Sequence, residues 1–151
     1  MLKDSLKRKL KNIRRDIIDL HQLPPIKLIF LSTENASIDA IADTDNHTIV
    51  FYYKKARSEK WWYLLLFHEL AHLYCKHNNI YPRYYVPGGK GCNEPRYAFK
   101  AEHRTDIEAR KLWDQMKMRK KYGQYVYSYP KRNLKPAMRF LKEFYRNRLH
   151  S

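Results

Sequence analysis

The sequence predicts an α+β domain, and three observations predict it: helical periodicity at both ends of the chain, three short β-prone runs between residues 26 and 53, and a long apolar run at residues 59–78 with polar residues His68, Glu69 and His72 set into it. A length of 151 residues suits one domain with a core of its own, with residues 122–151 as a basic, tyrosine-rich extension of it.

The elements follow in order. Leu2, Leu6, Leu10, Ile13, Ile17 and Leu20 recur every three or four residues, which predicts an amphipathic helix over residues 2–21 with a basic outer face, stopped by Pro24 and Pro25. Residues 26–31, 36–43 and 47–53 are short runs rich in β-branched and aromatic side chains, separated by turn residues such as Thr44, Asp45 and Asn46. They predict a three-stranded, mainly antiparallel sheet whose last two strands form a hairpin. Ser58 is placed to cap a helix over residues 59–78, and the apolar block from Trp61 to Phe67 wraps its whole circumference, so this helix belongs in the interior. Pro82, Pro87 and Pro95 with Gly88, Gly89 and Gly91 mark residues 80–95 as a long irregular loop. A second helix is expected over residues 98–120 and an extended segment over 122–129. A last helix opens at Pro136, with Met138, Leu141, Tyr145 and Leu149 on one side.

Lys and Arg total 31 against 15 acids, a formal charge of +16, so the field around the protein attracts anionic partners. An acidic protein or peptide substrate fits, and so does a nucleic acid. From Lys117 to the C-terminus eleven basic residues face a single acid, Glu143, and they interleave with Tyr122, Tyr125, Tyr127 and Tyr129. That mixture can contact phosphates and stack on bases, or it can form the solvated face of a helix that covers the core. No run of 18 apolar residues occurs and the first residues have no apolar signal core, which predicts a cytoplasmic protein without a membrane span. Cys75 and Cys92 are too few for a disulfide framework and fit a reducing compartment. A monomer is expected.

His68, Glu69 and His72 form the pattern HExxH. On a helix, residues four apart share a face, so the two imidazoles can bind one Zn²⁺ while Glu69 stands beside them as a proton carrier. Two histidines packed in a core helix without a metal would be the alternative, at a cost in unsatisfied polar groups. A catalytic zinc takes three protein ligands and keeps one position open, so a third ligand is needed. Residues 101–113 offer the best supply: Glu102 as ligand, with Asp106 on the same helical face to orient an imidazole. Asp106, Glu108 and His103 remain open as alternatives for the third ligand.

The order of helix, small sheet, HExxH helix, loop and a second helix with Glu102 and Asp106 resembles the gluzincin metallopeptidases, and the short chain resembles their ImmA/IrrE-like and minigluzincin groups. In that pattern an ExxAD-type motif is followed by a small residue three positions on; here it reads Glu102, His103, Arg104, Thr105, Asp106 and then Ala109, with Thr105 in place of Ala. The resemblance covers about residues 26–114 and implies a minimal zincin-like domain with one Zn²⁺ on His68, His72 and Glu102. The implied function is endopeptidase action on a cytoplasmic, regulatory protein, with Glu69 as general base toward a metal-activated water, and the basic C-terminal part adds a nucleic-acid-associated protein as an alternative substrate. The competing class is a basic nucleic-acid-binding protein whose zinc is structural. The metzincin pattern is excluded, because Cys75 stands where its Gly is required and Asn78 where its third His would be.

Around this centre, His103, Tyr97 and Arg96, with Tyr84 and Tyr85, are near enough in sequence to stabilise an oxyanion, although aromatic residues there more often serve packing. The strand at residues 47–53 is the expected edge for an extended substrate. Cys92, in the glycine-rich loop, is a candidate blocking thiolate, whereas Cys75 reads as a small buried residue. The minigluzincin resemblance also implies that the C-terminal segment can fold over the cleft, which would make the tyrosine-rich stretch a latency plug.

Overall fold

The computed structural model describes residues 2–33, 38–53, 57–81 and 95–127, together with Arg139, Glu143 and Arg146; of Pro95, Arg96 and Ala98 it describes the backbone alone. Helix α1 (Asp4–His21) leads into strands β1 (Lys27–Ser32), β2 (Ala40–Asp43) and β3 (Thr48–Tyr53), then α2 (Glu59–His77), α3 (Pro95–Gln115) and the short α4 (Met118–Tyr122). This is the expected α+β layout. Among the described residues no helix is long and apolar enough to cross a membrane.

The sheet is mixed rather than mainly antiparallel, with strand order β1-β3-β2. β2 and β3 form the expected antiparallel hairpin, while β1 runs parallel to β3. The hairpin is organised by Asp43, whose Oδ1 accepts the backbone N–H groups of Asp45 and Asn46 at 3.2 Å each while Oδ2 accepts the Asn46 amide at 2.9 Å. β3 is therefore the central strand, which corrects the expectation that it offers a free edge. Its residues explain the position: Ile49, Val50, Phe51 and Tyr52 are all buried, and a strand covered on both faces reads as a continuous apolar run without charges.

One face of the sheet, with Leu28, Ala40, Ala42, Ile49 and Phe51, joins α1 and α2 in the main core. α1 contributes Leu10 and Ile17, both fully buried, and ends at Gln22 in the left-handed conformation. Arg14 ties its last turns to the sheet by donating to the Ile26 carbonyl at 3.1 Å. α2 begins at Ser58, whose Oγ accepts the Trp61 N–H at 3.2 Å, and twelve of its residues are buried, as the apolar block predicts.

The second helix departs from its expected bounds. It starts at Pro95, where a missing N–H and a fixed φ suit the first helical turn, and it ends at Gln115. Lys117 then adopts φ 57°, and the chain resumes as α4. Tyr122 belongs to α4, and Tyr125, Val126 and Tyr127 are irregular rather than a strand. Gly123 at φ +82° turns the chain back toward α2, and its carbonyl accepts the indole N–H of buried Trp113 at 2.9 Å. Arg139, Glu143 and Arg146 are helical and exposed, as expected of the outer face of the last helix, whose apolar side lies outside the described residues, as do residues 82–94.

Ile17 is fully buried in the core and remote in sequence from the histidines. Ile17→Ala should cost about 2–5 kcal/mol of stability, read as a lower urea midpoint at unchanged slope.

Candidate metal centre

Helical geometry on α2 puts His68 and His72 on one face, their ring centroids 4.9 Å apart and nearly perpendicular. α3 packs on α2, its buried residues Ala101, Thr105 and Ala109 all small and Thr105 bonding Cys75, and Glu102 reaches both rings. Its Oε2 lies 2.8 Å from His68 Nε2 and its Oε1 lies 3.1 Å from His72 Nε2.

The other nitrogens have acceptors. His68 Nδ1 faces Asp106 Oδ1 at 2.9 Å, and His72 Nδ1 faces the Tyr81 hydroxyl oxygen at 2.5 Å. Tyr81 donates its own proton to the His72 carbonyl at 3.1 Å, so it accepts from the ring. Both Nδ1 atoms thus carry the proton, and in the neutral rings both Nε2 lone pairs point at a carboxylate. Glu102 Oε2 is correspondingly buried without a hydrogen-bond donor. Electron pairs converging in a dry interior are relieved by a proton on Nε2 or by a cation between the three groups. The donor set fits a metal ion: two neutral imidazoles, one carboxylate and outer partners that fix the tautomers.

Glu69 is buried beside the rings, and ligand atoms of His68, Glu69 and His72 lie within 4.8 Å of one another. Of the two carboxylates, Glu102 is the one in direct contact with both Nε2 atoms. Glu69 instead accepts the backbone N–H of Ala42. The alternation of the ladder explains that contact: Tyr52 N–H bonds the Asp39 carbonyl, so Ala42 opposite Ile49 is a non-bonded pair whose N–H points outward from β2. Among the described strands, the sheet edge beside the centre therefore belongs to β2, not to the strand at residues 47–53.

Charge follows this geometry. Burial alone would lower the His68 pKa, but the Glu102 charge and the bonds with Asp106 and Glu102 raise it well above 6.5. Burial alone would raise Glu102, yet His72 and His68 pull it below the usual carboxylate range. Glu69 is raised, chiefly by burial and against the pull of both histidines.

Asp106 stands where the sequence put it, orienting an imidazole. Thr105 fits in the helix with its hydroxyl donating to the Ala101 carbonyl at 2.8 Å and lying 3.4 Å from His72 Nδ1. Glu108 is not brought to the centre: its buried carboxylate pairs with Arg104 at 2.9 Å and Lys111 at 3.4 Å. His103 is exposed and Tyr97 is half-buried. The Arg96 side chain, Tyr84, Tyr85 and Cys92 lie outside the described residues. Cys75 is buried and its thiol is pushed up to about 12, mainly by burial, so it stays an inert packing group.

Three tyrosines in contact with the centre were not assigned these contacts from the sequence. Tyr81 holds His72, Tyr127 stacks on His68 with centroids 4.4 Å apart, and the Tyr125 hydroxyl donates to Asp106 Oδ1 at 2.9 Å. Burial and the Asp106 charge push Tyr125 above its ordinary value, which keeps it a donor.

These shifts set the pH response of the metal-free protein. The raised His68 value contributes stability that is full below about 6.5 and lost as pH rises through the shifted value. The lowered Glu102 value contributes above about 4.5 and is lost as pH falls through its own shifted value. Chelator-treated protein should therefore melt at a higher temperature near about pH 6 than well above neutrality, where His68 loses its proton; a flat profile across that range would contradict the pairing. No protein-family model, curated protein or solved structure matches the chain, so the fold and this donor set carry the functional reading.

Proposed function

We propose that the chain is a zinc-dependent peptidase of the kind that the gluzincin resemblance implies, holding one Zn²⁺ through His68, His72 and Glu102. The observation that carries this reading is the convergence of both Nε2 atoms on one partly buried carboxylate, Glu102, with a fully buried acid, Glu69, left over beside them. Bound there, zinc would supply a positive charge that makes a water acidic and polarises a substrate carbonyl.

The protein's own groups do the rest. Asp106 and Tyr81 hold the imidazoles in one tautomer and orientation. Glu69 takes a proton from the attacking water and passes it to the leaving amine, and the raised pKa that burial gives it brings both transfers nearer neutrality. The charge of +16 favours an acidic protein as that substrate, and the basic C-terminal part suits one associated with nucleic acid in the cytoplasm.

A structural zinc in a nucleic-acid-binding protein is less well supported. Such a site is closed by four protein ligands and has no task for an acid like Glu69, whereas the ligands proposed here number three.

Two measurements test the assignment. Glu69→Gln should keep its metal and its fold while hydrolysing a peptide library at least about a hundredfold more slowly, because the proton acceptor is lost and the shape retained. Undiminished cleavage by this variant would remove the proposed chemistry. Metal analysis should find zinc lost from Glu102→Ala and retained in Glu108→Ala, since Glu108 is committed to Arg104 and Lys111; the reverse result would put the ligand elsewhere on α3.

A further inference from the structure

We propose that Tyr125 is a positioning residue of the metal centre, pinning the Asp106 carboxylate against His68 and thereby fixing the ring that offers its Nε2 to the metal. This rests on the reading that His68, His72 and Glu102 hold zinc.

Asp106 needs such a partner. Its side chain is 22% exposed, and it lines a cleft of about 320 Å³ together with Arg110, Asp114, Arg119 and Gln124. A partly exposed carboxylate in a cleft also lined by two guanidinium groups is not fixed by burial, and it can rotate away from the imidazole unless a second donor holds it. Tyr125 opposes that rotation. Its hydroxyl donates to Oδ1 at 2.9 Å, the same oxygen that His68 Nδ1 meets at 2.9 Å, so two donors from different directions fix one acceptor atom.

The donor itself is rigidly held. Tyr125 is 3% exposed and packs edge-on against Trp113 at 5.9 Å, and Trp113 anchors the preceding turn through the Gly123 carbonyl. Tyr127 then lies flat on His68, closing one face of the ring that Asp106 orients from the Nδ1 side. The segment after α4 thus reaches His68 by two routes, one polar and one apolar. Sharing Oδ1 also draws electron density from Asp106, so Tyr125 moderates the basicity it passes to His68 as well as aiming it.

The test is a double-mutant cycle on the full chain, with Zn²⁺ affinity read by chelator competition in wild type, Tyr125→Phe, Asp106→Ala and the double variant. Tyr125→Phe keeps the ring and its packing. It should weaken Zn²⁺ binding by about tenfold and alter the visible absorption of the Co²⁺-substituted protein. In the Asp106→Ala background the same substitution should have no further effect on affinity, since its route to the metal is gone. Unchanged affinity in Tyr125→Phe would overturn the inference. So would an equal loss in both backgrounds, the signature of general destabilisation, and melting of each metal-free variant keeps the two effects apart. A wild type that takes up no zinc would overturn the metal reading itself; a tight-binding wild type with a silent Tyr125→Phe overturns only the role of Tyr125.

Discussion

Two helices must approach closely enough for one carboxylate to touch two imidazoles, and much else in the molecule is arranged around that contact. Burying Glu102 and His68 side by side is costly unless each satisfies the other, because neither retains much water. The cost is limited by shape. Ala101, Thr105 and Ala109 on α3 and Ala71 on α2 keep the contact surface thin, while the apolar circumference of α2 seats it between the sheet and α3. A larger side chain at Ala101 or Ala109 would move Glu102 away from both rings at once.

The parts of this centre that follow from local periodicity were legible in the sequence. His68, Glu69 and His72 lie within two turns of one helix, and Glu102 and Asp106 are four apart on another, so their mutual placement follows from the rise of a helix. Tyr81, Tyr125 and Tyr127 were not legible as partners. Each belongs to an irregular stretch whose path is set by distant packing: Tyr125 arrives because Lys117 breaks the helix and Trp113 captures Gly123. No periodicity reports such a route. The resemblance implied that the tyrosine-rich stretch of residues 122–129 can fold over the cleft, but nothing in the sequence singled out His68 or Asp106 as its contacts.

The sheet gives the same lesson at coarser scale. The three strands and the hairpin were readable from β-branched runs and turn residues, and the order of strands was not, because edge and centre differ in what covers them. One clue was present: β3 carries no charged residue, whereas β1 begins at exposed Lys27. Charges sit comfortably where a strand meets water, and a strand without them prefers neighbours on both sides.

The β2 edge has a consequence for solubility. An unpaired strand edge is a template on which a second chain can assemble, and proteins blunt such edges or pay in aggregation. Here the edge strand is only four residues long, Ala40–Asp43, and Ala42 turns one of its outward N–H groups into a contact with Glu69. The acid that sits beside the histidines is therefore also a cap on the sheet. A substitution that removes the acceptor altogether, unlike Glu69→Gln, leaves the buried Ala42 N–H without that bond, so such variants carry a cost at the sheet that is separate from anything they do to chemistry.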